Sequence, residues 1–125
     1  MVNNNELRAL HVRMYAALLR LEKSAKSNDI AEADKWHRDF SALFDLAAKF
    51  LPAGKTSSDD PLLNHFDHAK NAFMMSLIDM PKEVESLTKM GKPNLIQVYE
   101  ASRKQSLENG RRLILKIRSM LKGHV

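Results

Sequence analysis

Residues 94–122 read NLIQVYEASRKQSLENGRRLILKIRSMLK and carry the longest helical pattern in the chain. At 100° per residue, the apolar and small side chains of this segment fall on one face of a helix. We therefore predict a long amphipathic helix, capped by Asn94, whose apolar side packs on other helices. That side consists of Leu95, Tyr99, Ser102, Ser106, Gly110, Leu113, Ile117 and Met120, with Ile96, Ile114 and Leu121 at its edge.

The dipeptide Asn109-Gly110 inside this segment is also a turn signal, because glycine disfavours a helix interior by about 1 kcal/mol relative to alanine. Gly110 is nevertheless in phase with the apolar positions on both sides of it. We therefore interpret Gly110 as a place where a neighbouring helix comes close, rather than as a helix break.

The C-terminal segment also holds the net charge of the protein. Residues 91–125 contain eight Lys or Arg and two Glu, whereas the first ninety residues contain twelve Lys or Arg and thirteen Asp or Glu. The overall charge of +5 therefore lies in this part of the chain. The candidate binding residues are Lys104, Arg111, Arg112, Leu115, Arg118 and Lys122.

Four of these cations, Lys104, Arg111, Arg118 and Lys122, are spaced seven, seven and four residues apart and cover about 27 Å of one helix edge. Two interpretations of this edge stay open. Charged faces are ordinary on solvated bundle helices, and cations are favourable near a helix C-terminus. A row of cations also forms a footprint for an acidic partner. Leu115 favours the second interpretation, because a solvated face needs no leucine.

Composition and length indicate one folded domain over residues 1–125. The chain is 44% hydrophobic and 28% charged, and 125 residues are enough to bury a core without a metal or a disulfide. The absence of cysteine excludes thiolate chemistry and suits a reducing cytoplasm. The first residues do not resemble a signal peptide, and no apolar run reaches the roughly 20 residues of a membrane span. We therefore expect a cytoplasmic protein without membrane contact.

Helix 1 is predicted from Asn4 or Asn5 to Lys26, followed by a cap at Ser27-Asn28-Asp29. Its main apolar stripe has a second strip beside it, formed by Val12, Tyr15 and Leu19. Because this combined apolar face is wide, we predict that helix 1 also supports a homodimer. The main stripe consists of Leu7, Leu10, Met14, Ala17, Leu18, Leu21 and Ala25.

Helix 2 is predicted over residues 30–51, antiparallel to helix 1 because the junction is short. Trp36 lies in its apolar stripe, and we interpret it as a core residue. Pro52 to Pro61 form the one real loop.

Helix 3 opens with Asp60 as its cap and Pro61 at its first position. Pro81 should interrupt this helix, yet Val84 and Leu87 continue its apolar phase. The chain either bends at Pro81 or starts a short separate helix capped by Asp79 or Met80. The predicted fold is an all-α, single-domain antiparallel bundle of four main helices, with a Pro81 kink or a short fifth helix.

Motifs that carry chemistry are sparse. His65 and His68, with Asp67 between them, lack the third and fourth ligands of a zinc site. Gly54-Lys55-Thr56 ends like a phosphate-binding loop, but Lys49 stands where that loop needs its first glycine. We interpret His11 and His37 as histidines at the core edge; if they faced each other, their protonation would strain the bundle.

Arg118 and His124 resemble the Arg…His pair of HEPN-type ribonucleases, which are also small helical bundles. The resemblance covers two residues and implies ribonuclease activity there. His124 follows Gly123, beyond the predicted last helix. We predict a non-enzymatic protein with no catalytic residue, no metal and no cofactor.

Two functions are compatible with these features. The first is a regulatory interaction module that docks on an acidic protein through the basic edge of the last helix. The alternative is nucleic-acid binding, in which the same cations contact phosphates. The chain has no convincing helix-turn-helix spacing, and the segment has only Tyr99 for stacking on bases. The acidic protein is therefore the preferred partner.

Overall fold

The computed structural model describes the backbone of residues 4–91 and 95–122, and the side chains of these residues except 78–84. These residues form five α-helices and no strand, so the all-α prediction is confirmed. The helices are α1 (Asn4–Lys26), α2 (Ile30–Ala48), α3 (Pro61–Met74), α4 (Met80–Lys89) and α5 (Ile96–Lys122). A 3₁₀ turn at Ser57–Asp59 precedes α3, and a π-helical turn at Met75–Asp79 joins α3 to α4.

The junction between α1 and α2 is built by its own three residues. Asn28 has a φ of 57°, the left-handed conformation that ends many helices. The backbone N–H of Asp29 donates to the carbonyl of Ser24 (2.9 Å), and the N–H of Asn28 donates to the carbonyl of Ala25 (3.2 Å). The Asp29 carboxylate then accepts the N–H of Glu32 at 3.1 Å and starts α2. The predicted cap is thus confirmed.

The end of α2 lies earlier than predicted, at Ala48 rather than Leu51. Lys49, Phe50 and Leu51 donate their N–H groups to carbonyls three residues back, which tightens the last turn. Pro52 explains this difference, because a proline disfavours the α conformation of the residue before it.

The start of α3 matches the predicted cap. The Asp60 carboxylate accepts the N–H groups of Leu62 (3.0 Å) and Leu63 (3.2 Å), with Pro61 at the first helical position. The predicted short fifth helix is present as α4, and the π-helical turn joins it to α3 without a break in the helical backbone. The side chains of the two predicted caps, Asp79 and Met80, lie outside the described part of the chain. In a continuous α-helix the backbone N–H of residue 81 would donate to the carbonyl of Leu77, but proline has no N–H group. One widened turn, Met75–Asp79, keeps the chain helical through this position.

The core lies where α1, α2, α3 and α5 meet. The Phe40 and Phe66 rings lie 5.9 Å apart at its centre, and His11 stacks on Phe66 at 6.3 Å. Trp36 is only partly buried, so the prediction that it belongs to the core holds for one side of its ring. The buried apolar residues of the core are Met14, Ala17, Leu18, Leu21, Ala25, Ala33, Phe40, Leu43, Ala47, Leu62, Leu63, Phe66, Ala69, Phe73, Leu77, Ile114 and Ile117.

Gly110 lies inside α5, which is unbroken from Ile96 to Lys122. A Cβ atom at this position would lie 2.5 Å from both Cε1 and Cζ of Phe73 on α3. Carbon atoms do not approach so closely, so only glycine fits without rearrangement of the ring. The interpretation of Gly110 as a close helix contact is confirmed.

Candidate docking surface

The basic edge of α5, defined here as Lys104, Leu115, Arg118 and Lys122, lies on the outer side of the bundle. All four residues are exposed, and the leucine keeps 50% of its surface open to solvent. The opposite side of α5 carries the buried Gly110, which fixes the orientation of the helix. The four side chains therefore face solvent, while the other side of α5 packs on the bundle.

Arg111, predicted to belong to the same edge, has a partner within the chain. Its Nη1 atom lies 3.2 Å from Oε1 of Glu22 on α1, and the Glu22 residue is only 7% exposed. Lys26 Nζ lies 3.8 Å from the other carboxylate oxygen, which has no hydrogen-bond partner in the described chain. Arg111 thus neutralises a buried carboxylate at the contact between α1 and α5, although half of its own side chain stays exposed.

The other cations of the edge have no such partner among the described side chains. Lys104, Arg118 and Lys122 form no ion pair with any residue in the ranges 4–77, 85–91 and 95–122. Their charges are therefore available to an external partner. Arg112 is exposed as well, but it follows Arg111 by about 100° around the helix and lies on a different flank. Lys116 shares that flank with Arg112.

An apolar strip of α1 borders the basic edge. The pair Arg111–Glu22 sets the register of two antiparallel helices, so Leu115, one turn further along α5, lies near the level of Leu19 on α1. Val12 is 53% exposed on the same side of α1. Tyr15 and Leu19 are partly buried against the core, so the predicted second strip of helix 1 is less open than its sequence implied.

Arg103 has a role that sequence reasoning missed. Its Nε donates to the carbonyl of Ser76 at 3.0 Å, and its Nη2 donates to the carbonyl of Ala25 at 2.9 Å. One guanidinium therefore joins α5 to the last turn of α1 and to the π-helical turn. The sequence feature that could have indicated this role is the position of Arg103 on the apolar face of α5, seven residues before Gly110.

The histidines do not assemble a metal site in the described chain. Residues 4–77, 85–91 and 95–122 contain no group of three or more His, Cys, Asp or Glu that could hold a metal ion. The Nδ1 atom of His65 is buried without a hydrogen-bond partner, and Asp67 pairs with Lys70 at 3.5 Å. Burial and the nearby Lys70 ammonium lower the pKa of His37, while Asp34 opposes this shift.

His124 and Asn94 lie outside the described residues, so the Arg…His pair and the predicted cap of α5 are not placed. Among the helices that are described, none is long and apolar enough to cross a membrane. The chain matches no protein-family model, no curated protein and no solved structure.

Proposed function

We propose that this protein is a non-enzymatic interaction module that docks on an acidic protein through the basic edge of α5. The observation that carries the proposal is the arrangement of three exposed cations around a half-exposed leucine, on the outside of a helix whose other side is buried. None of the three forms an ion pair with the described side chains. Cations set the rate and specificity of such an encounter, and an apolar anchor adds affinity when it becomes buried. The proposed partner presents carboxylates around an apolar pocket or stripe.

The surroundings of the edge favour a protein over a nucleic acid. Phosphate contacts need cations but no apolar anchor, whereas Leu115 and Val12 both expose apolar surface next to the cations. Tyr99 is the aromatic residue of α5, and its partial burial limits stacking on bases. Nucleic-acid binding is therefore the alternative that the experiment has to separate.

The test compares two double charge reversals of equal size. Lys104→Glu with Arg118→Glu alters the basic edge, and Arg112→Glu with Lys116→Glu alters the other flank of α5. Arg111 stays unchanged, because its loss would uncover the buried Glu22 carboxylate. Proteins captured from a native lysate by the unchanged chain are identified and purified, and their affinities for all three chains are then measured.

The proposal predicts that the first reversal weakens binding by about tenfold or more, while the control reversal changes it by less than about threefold. Equal losses for both variants would contradict it. The variant Leu115→Ala separates the two classes of partner. Docking on a protein should weaken by roughly tenfold, whereas binding to duplex DNA or single-stranded RNA at low salt should not change.

The cytoplasm is the compartment in which we propose that this docking takes place. The support is the absence of cysteine from the sequence, which suits a reducing environment. Expression of a fluorescent fusion in cells, followed by fractionation, tests this part of the proposal.

A further inference from the structure

A second surface lies on the opposite side of α1 from the edge of α5. The α1–α2 groove, defined by Arg13, Arg20, Trp36, Asp39, Ala42 and Leu46, encloses about 520 Å³. A smaller cleft of about 230 Å³ continues it past Arg20 and Trp36 toward Lys23 and Glu32. The groove therefore runs along most of the seam between the two helices.

Small and apolar side chains form the middle of the groove. Ala16 and Ala42 are exposed on its two sides, and Leu46 keeps 45% of its surface exposed. Alanine on both helices leaves room for another helix to approach closely. The partly buried Trp36 ring lines one part of the groove, with the Arg20 guanidinium 5.8 Å and Nζ of Lys35 5.1 Å from its centre.

The two walls of the groove carry opposite charges with equal spacing. Arg13 and Arg20 stand seven residues apart on α1, and Glu32 and Asp39 stand seven residues apart on α2. Seven residues correspond to about 10.5 Å along a helix. None of these four residues forms an ion pair within the described chain. The Glu32 carboxylate accepts a hydrogen bond from Nε1 of Trp36 at 2.9 Å. Both walls thus hold matching rows of charge that no ion pair among the described residues neutralises.

The charges on the two walls determine which kind of molecule can bind in the groove. A nucleic acid or a uniformly acidic peptide would gain contacts with the arginines but would also meet the carboxylates of Glu32 and Asp39. An occupant that fits both walls needs a basic row and an acidic row side by side. The groove itself has these two rows at the required spacing, and self-complementarity of this kind is the property of a two-fold interface.

We infer that the α1–α2 groove binds the same groove of a second copy of this chain. Because α1 and α2 are antiparallel, a two-fold axis along the groove places α1 of one copy over α2 of the other at the same level. Arg13 then lies within about one turn of the partner's Asp39, and the reverse pair forms by symmetry. Leu46 and Ala42 become buried between the copies. The basic edge of α5 stays outside this interface.

The test uses charge exchange between two variants. Arg13→Asp alone should raise the dissociation constant of the dimer about tenfold or more, because two carboxylates, one from each copy, then face each other in each half of the interface. Asp39→Arg alone should raise the dissociation constant by a similar factor, because two arginines, one from each copy, then face each other in each half of the interface. An equimolar mixture of both variants should regain dimers, because a mixed pair has one attractive contact in each half.

The readouts are sedimentation equilibrium of the full chain at low ionic strength and the emission of Trp36, the one tryptophan of the sequence. Dimerisation should bury Trp36 and shift its emission to shorter wavelength as the protein concentration rises. Lys116→Asp, on the far flank of α5, is the matched control and should dimerise like the unchanged chain. Circular dichroism checks that each variant is folded, and Ala42→Lys provides an independent break of the interface.

Three results would overturn the inference. One is a monomer at every concentration up to about millimolar, even if an added acidic peptide shifts the Trp36 emission. Another is a dimer whose dissociation constant is unchanged by Arg13→Asp, by Asp39→Arg and by Ala42→Lys. The third is a mixture of the two charge variants that stays monomeric although the unchanged chain dimerises. None of these results bears on docking at the α5 edge, because the two surfaces share no residue.

Discussion

At the scale of single residues, three side chains on α5 differ in ways that their types do not reveal. Gly110 sets the distance between α5 and α3, and Arg111 compensates a buried carboxylate. Arg118, seven residues or about two turns further along the same edge, faces solvent without an ion pair among the described side chains. Two arginines of one predicted set therefore have different roles, one in stability and one in proposed binding.

Replacing Gly110 with alanine tests the close contact with Phe73. Alanine gains about 1 kcal/mol of helix propensity, but the added methyl group overpacks the core at a cost of about 1–3 kcal/mol. We expect a net loss of up to about 2 kcal/mol in the free energy of unfolding, measured by urea denaturation. The loss should shrink in a Phe73→Leu background, and Ser119→Ala on the exposed side of α5 is the control. A more stable Gly110→Ala chain would contradict the contact.

Replacing Arg111 with alanine tests its structural role. The Glu22 carboxylate would keep only Lys26 at 3.8 Å, so we expect the free energy of unfolding to fall by about 1–3 kcal/mol. Lys104→Ala should change it by less than about 0.5 kcal/mol, as expected for an unpaired surface residue. The additional change Glu22→Gln should recover part of the loss. Equal effects of the two alanine variants would show that the ion pair contributes no stability.

At the scale of helices and turns, local chemistry explains what was predictable. The caps at Asp29 and Asp60 depend on residues within three positions, and each was located from sequence. The contacts of Arg103 with Ala25 and of Arg111 with Glu22 span 78 and 89 residues. Helical periodicity predicts the face of the helix on which such a side chain lies. It does not predict the residue that the side chain contacts, because this depends on how the helices pack.

Arg103 joins three elements, so its replacement should weaken the bundle more than the loss of a surface charge. We expect Arg103→Lys to lower the free energy of unfolding by about 1–3 kcal/mol, since one ammonium group cannot replace a planar fork that reaches two carbonyls. Thermal and urea unfolding measure this loss, with Lys104→Met as the control. Full stability of the lysine variant would show that a simple positive charge is sufficient at this position.

His37 on α2 makes the stability of the bundle depend on pH. Burial, aided by Lys70, lowers its pKa in the folded state below the unfolded value, so the unfolded chain binds a proton first as pH falls. The free energy of unfolding should therefore decrease as pH falls from about 6.5 to the lowered pKa. Replacement by glutamine should reduce this pH dependence relative to the unchanged chain. An unchanged dependence would assign it to other groups.

At the scale of the whole molecule, the bundle separates two kinds of surface. The sequence was sufficient to predict four long helices and their order, because the spacing of apolar residues repeats with the period of a helix. The α1–α2 groove could not be predicted in this way, because its walls come from two helices. Their charged residues lie opposite each other only when α1 and α2 pack together. The proposed docking edge and the proposed dimer surface lie on different sides of α1, so one can be altered without the other.

Docking at the α5 edge can be mapped directly by titrating the isotope-labelled chain with a synthetic amphipathic helix that carries glutamates around a leucine stripe, and following backbone amide shifts by NMR. The account predicts salt-sensitive shifts that cluster at Lys104, Leu115, Arg118 and Lys122 and that weaken in the Lys104→Glu, Arg118→Glu chain. A matched peptide with the glutamates replaced by lysines should cause none. Shifts that cluster elsewhere, or no shifts at millimolar peptide in low salt, would contradict the docking surface.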